Sequence, residues 1–108
     1  MTFVQLEIKD HVGILTIDRP QALNALNTEV LGQLSKALDE LDLDNLRCLI
    51  VTGGGNKSFV AGADIGEMSD LSKKQAEVFG KHGNDVFRKL ETLPIPTIAA
   101  VNGFALGG

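Results

Sequence analysis

Residues 47–55 read RCLIVTGGG, and this stretch limits the fold more than any other. Cys48 to Val51 are apolar at every position, so a strand made from them has no polar face to show to water. Such a strand suits the inside of a parallel sheet, and the glycines after it suit a loop at the C-terminal end. The flanking segments supply that sheet. In FVQLEIKD, Val4, Leu6 and Ile8 alternate with Gln5, Glu7 and Lys9, the period-2 pattern of a strand with one wet face. HVGILTI follows, with Val12, Ile14 and Thr16 on one face and Leu15 and Ile17 on the other. It reads as a more buried strand, paired with the first through a turn near Lys9-Asp10. Asp18-Arg19-Pro20 closes it, because proline lacks a backbone donor and disfavours helix at the residue before it.

Helical spacing then takes over. Val30, Leu31, Leu34, Ala37, Leu38 and Leu41 recur at helical intervals after an N-cap at Asn27 or Thr28, with Glu29 in the first turn. A second helix is expected from about Ser72 to Leu93, striped by Ala76, Phe79, Val86, Phe87 and Leu90. Gly80 and Gly83 weaken it by roughly 1 kcal/mol each relative to alanine, and close packing is the reason expected for them. LPIPTIAAVNG leads through two prolines into a strand from Thr97 to Val101. The order β-β-α-β-α-β, without repeats, linkers or low-complexity tracts, predicts a single α/β domain.

Composition narrows the partners. At 44% hydrophobic and 22% charged residues, the make-up is that of an ordinary globular chain. A net charge of −4 argues against a polyanion-binding surface, so no nucleic acid is expected. No apolar run approaches the ~20 residues that span a bilayer, so no membrane is expected either. The start shows no basic segment leading an apolar block, and a cytoplasmic protein is predicted. Cys48, the single cysteine, cannot form an internal disulfide and reads as a small buried hydrophobe rather than a reactive thiol.

Two loops can carry chemistry, and both follow a buried strand: Gly53 to Ile65, and the stretch from Asn102 through GFALGG. Such loops expose backbone N–H groups at a sheet edge, where an anion or polarised oxygen binds. GGGNKS imitates the end of a phosphate loop, but the two glycine positions that motif requires hold Asn56 and Val51. In FVAGADIGEM, Asp64 and Glu67 fit a capping box, and a helix cap is preferred over a catalytic acid for both. The amide of Ala63 then sits beside Gly62 at the positive end of a helix, one half of an oxyanion hole. His11 and His82 lack ligand-spaced partners, so no metal is expected. There is no G-x-S-x-G elbow. Phe59, Phe79, Phe87 and Phe104 read as core.

HVGILTIDRPQALNALN, FVAGADIGEM and IPTIAAVNGFALGG, in this order, resemble the N-terminal part of the enoyl-CoA hydratase/isomerase (crotonase) family. The resemblance covers essentially all of residues 1–108. It implies a crotonase-like (ClpP/crotonase) spiral of β-β-α units, incomplete at the C-terminus, assembled as a homo-trimer or homo-hexamer. The implied chemistry is addition of water to a 2-enoyl-CoA thioester, or the reverse dehydration. The alternatives are Δ3-Δ2 isomerisation or a non-catalytic acyl-CoA-binding module. No cofactor is implied, since CoA is part of the substrate. By the resemblance, the backbone amides of Ala63 and Gly108 form the oxyanion hole, Ala61, Gly62, Asp64, Ile65 and Gly66 line the CoA moiety, and the Ala22-Leu23 turn touches its pantetheine arm.

Two departures from the family pattern follow. Many relatives place a lysine directly after GADI, where this chain has Gly66, leaving Lys57 or a neighbouring subunit to meet a CoA phosphate. The two glutamates that activate water in hydratases would fall beyond Gly108. The strand from Thr97 would also stand without a covering helix and expose apolar surface and a sheet edge, so a fragment of a longer protein, a truncated product or the ordered part of one is expected.

Overall fold

The apolar run at Cys48 lies inside a sheet, as its composition demands. In the computed structural model, which describes every residue from Met1 to Gly108, β3 (Cys48–Gly53) lies between β2 (Val12–Ile17) and β5 (Thr97–Ala100), parallel to both. An antiparallel strand, β1 (Val4–Lys9), pairs with β2 from Val4–Ile17 to Lys9–Val12, giving the order β1-β2-β3-β5. The hairpin turns at Asp10 and His11, both with positive φ, as two-residue turns between twisted strands require.

Helix α1 (Thr28–Asp39) is capped by Asn27, whose Oδ1 accepts from the Val30 amide at 2.8 Å. It sets Val30, Leu31, Leu34 and Leu38 in one core with Leu15, Ile17, Leu49 and Val51 of the sheet. Two further helices follow β3: α2 (Ile65–Ser69) and α3 (Lys73–Glu91). The long one opens with a capping box between Ser72 and Gln75 and adds Val86 to the core.

Some expectations change. Two strands too short to show a period, β4 (Ser58–Val60) and β6 (Phe104–Ala105), pair in parallel as a separate small sheet. With α2, they make the order longer than β-β-α-β-α-β. The dry face expected of β1 is only partly dry, with Leu6 38% and Ile8 54% exposed. These side chains share a face with Leu15 and Ile17, but α1 reaches only the Val4 end of the strand, where the Gln33 amide oxygen accepts from the Phe3 and Val4 N–H groups. Phe104 is exposed rather than buried, and the deeply buried ring is Phe3; Phe59, Phe79 and Phe87 are half-buried against the core. Cys48 is half-buried. Gly80 and Gly83 do not answer a close contact in this chain: a Cβ at Gly80 meets nothing within 4 Å, and one at Gly83 meets only Leu31 Cδ1, at 3.8 Å.

Candidate functional site

The sequence after β4 runs alongside the segment that precedes α1. The Ala61 amide donates to the Leu23 carbonyl at 3.1 Å, Leu26 N–H to Gly62 O at 2.8 Å, and Asp64 N–H to Leu26 O at 2.8 Å. Leu26 and Ala63 thus form a parallel bridge. In a trans peptide the C=O and N–H point in opposite directions, so the bond from Leu26 to Gly62 O turns the Ala63 N–H away from Leu26. That amide finds no acceptor in the chain, and neither does that of Gly108.

Gly62 has φ +95°, a conformation few other residues adopt. A Cβ there would lie 2.7 Å from the Leu106 carbonyl oxygen and 3.6 Å from Gly107 Cα. Gly107 is also left-handed, at φ +60°. The two glycine loops therefore meet backbone against backbone, held by the Leu106 amide donating to Val60 O at 3.1 Å. This close approach brings the neighbours of Ala63 and of Gly108 together. Ala22 closes a 3-10 turn, Pro20–Ala22, on the strand-like segment that the Ala61–Asp64 stretch flanks. Ile65 is 80% exposed and Gly66 is also open to solvent.

The carboxylate of Asp64 is fully engaged. Its Oδ1 accepts from the Glu67 amide at 3.2 Å, capping α2, and its Oδ2 accepts from Arg19 Nη1 at 2.7 Å. The Arg19 hydrogen bond, with the Glu67 amide behind it, holds the Asp64 pKa below its ordinary value. A carboxylate so stabilised is a weak proton acceptor, which suits the cap. The other half of the expected capping box is absent: Glu67 accepts instead from the Thr28 N–H at 3.0 Å and from the Thr28 hydroxyl, tying α2 to the start of α1.

Sequence reasoning passed over three side chains that hold the loops. Asn24 is fully buried; its Oδ1 accepts from the Arg19 amide and its Nδ2 donates to Gly54 O and Ser58 O. Asn102 bonds both the N–H and C=O of Gly53, joining the end of β5 to the glycine loop. Arg19 joins the loop to the α1 approach. The two asparagines sit in LNALN and VNG, next to turns, which is the only sequence signal they give. Beside Gly108, an apolar cavity of about 420 Å³ is bounded by Leu26, Phe87, Leu90, Ile98 and Leu106, with no titratable side chain in its wall. No three His, Cys, Asp or Glu side chains converge as a metal site.

Fold and site together define an α/β protein whose candidate site is made of backbone amides rather than of reactive side chains. Its sequence matches the enoyl-CoA hydratase/isomerase family over residues 7–108, and the chain belongs to that family. It is 51% identical over 106 residues to a short-chain-enoyl-CoA hydratase of Clostridium acetobutylicum, covering 97% of this chain and 41% of that protein. A crotonyl-CoA hydratase of Syntrophomonas wolfei is 49% identical over 104 residues, covering 95% and 40%. Among solved structures, an enoyl-CoA hydratase of Bacillus anthracis superimposes with a TM-score of 0.90 at 30% identity, over 96% of this chain and 41% of that one. The fold is therefore the crotonase fold, and the chain spans about two fifths of the length of these relatives.

Proposed function

We propose that residues 1–108 form the N-terminal part of a crotonase-like domain in an enoyl-CoA hydratase that adds water to a short 2-enoyl-CoA. The observation that carries the reading is the meeting of the Gly62-Ala63 and Gly107-Gly108 loops with the amides of Ala63 and Gly108 unpaired. Two such donors stabilise the enolate oxygen that forms when a nucleophile adds to the thioester-conjugated double bond. Loss of one donor of this kind costs ~3 kcal/mol of transition-state stabilisation. Ala61, Gly62, Asp64, Ile65 and Gly66 line the CoA moiety in this reading, and Ala22 touches its pantetheine arm. Hydration is redox-neutral and CoA arrives as part of the substrate, so the chemistry calls for no separate cofactor. In this reading residues 1–108 supply the oxyanion donors and not the carboxylates that activate water. Assembly as a homo-trimer or homo-hexamer, a place in fatty acid metabolism and a cytoplasmic location complete the proposal. No helix in the chain is long and apolar enough to cross a membrane.

The test is hydration of crotonyl-CoA by the protein at its native length, followed as loss of enoyl thioester absorbance. Turnover is expected. Conversion of a 3-enoyl-CoA without hydration would replace the reading with isomerisation, and acyl-CoA binding without turnover would replace it with a binding module.

A further inference from the structure

Arg19 lies on neither glycine loop, yet it cross-links the two segments that form the bridge beneath the Ala63 amide. Its Nη1 donates to the Ala25 carbonyl at 3.1 Å and to Asp64 Oδ2 at 2.7 Å. Ala25 precedes Leu26 on one segment, and Asp64 follows Ala63 on the other. Between those anchors lie the two bonds of Leu26, to Gly62 O and from the Asp64 amide, that set the direction of the Ala63 N–H.

The guanidinium has little freedom to leave. Its backbone amide donates to Asn24 Oδ1 at 2.8 Å, and its planar head lies 5.6 Å from the centroid of the buried Phe3 ring. The side chains of Arg19 and Asp64 are only 17% and 19% exposed, so water competes weakly for the pair. Asp64 is held from two sides at once, by Arg19 on Oδ2 and by the Glu67 amide on Oδ1. A tether of this kind does not touch a thioester oxygen; it limits how the peptide plane between Gly62 and Ala63 can rotate.

We propose that Arg19 is a positioning residue for the Ala63 amide, acting by bridging Ala25 O and the Asp64 carboxylate across the Leu26–Ala63 bridge. The inference deepens the proposed function and rests on it for its catalytic consequence, while its structural half stands by itself. An oxyanion donor acts mainly in the transition state, so misdirecting it lowers kcat more than it raises KM.

The experiment compares the native-length protein with Arg19→Met and Arg19→Lys by two readouts. In amide nitrogen–proton spectra, Arg19→Met is expected to move the resonances of Leu26, Ala63 and Asp64 while Leu34 and Leu49 stay in place. In crotonyl-CoA hydration, kcat per folded molecule falls roughly tenfold or more, and KM changes by less than about threefold. Arg19→Lys, which keeps the charge but not the planar fork, recovers part of both effects. An unmoved Ala63 resonance, or an activity loss that only tracks the folded fraction, would overturn the inference. If Arg19→Met does not fold, Arg19→Lys is judged by the same criteria. If the unsubstituted protein hydrates nothing, the proposed function fails, and the Leu26, Ala63 and Asp64 resonances alone decide whether Arg19 sets the amide.

Discussion

Gly62 combines two constraints that are usually separate. Its φ of +95° strains any residue with a Cβ, and the Leu106 carbonyl 2.7 Å from that position leaves no room for one. Gly62→Ala is therefore expected to destabilise the protein by about 1–3 kcal/mol, read as a lower denaturant midpoint. An unchanged midpoint would mean the two loops do not meet. Asp64 gives a prediction in pH. Its folded pKa lies below the ordinary value of 3.8, chiefly through the Arg19 hydrogen bond, so the folded state favours the ionised form. That stability is fully present above the unfolded pKa and is lost as pH falls through the lower folded value. Asp64→Asn should cost stability at neutral pH, and the gap to the unsubstituted protein should narrow below about pH 4. A gap independent of pH would show that the carboxylate charge contributes nothing. The glycine between two alanines was legible because small residues at a turn announce close approach. Arg19 was not, since its partner Asp64 is 45 positions away and no local pattern joins them.

At the level of elements, legibility followed length. The 12 residues of α1 and the 19 of α3 repeat the helical period often enough to show it, and Asn27 and Ser72 mark their starts. The three residues of β4 and two of β6 cannot show a period of two, and Asn102 ties the approach to β6 to the glycine loop that precedes β4. For α2, five residues long, the start at Asp64 was legible but the anchor was not. Glu67 looks back along its own helix in sequence and across to Thr28 in space. Removing that carboxylate frees the Thr28 amide and hydroxyl and unfastens α2 from α1. Glu67→Ala is expected to speed hydrogen exchange of amides in residues 65–69 several-fold while the core of α1 keeps its protection. Equal exchange in both proteins would mean that the Asp64 cap alone holds the helix.

For the molecule as a whole, strand direction followed from the sequence, because a continuous apolar run reached through a helix suits a parallel strand buried on both faces. The position of each strand in the sheet did not. The apolar run Thr97–Ala100 does not announce an edge, but β5 ends the order β1-β2-β3-β5, and all four of its residues are exposed, as expected of a strand without a covering element. Ile98, Val101, Phe104 and Leu106 are each more than half exposed along this same stretch. An apolar edge strand with unpaired backbone groups pairs readily with other chains. The 108-residue chain, prepared alone, should therefore associate: its sedimentation mass should rise above 11.5 kDa with concentration. Substituting Ile98→Lys together with Phe104→Lys should return it toward that mass. Because both side chains are more than half exposed, the double variant should keep its melting temperature within a few degrees, as surface changes do. A chain that stays monomeric at all concentrations would show that the edge is shielded. A large fall in melting temperature would show instead that Ile98 and Phe104 hold the fold together.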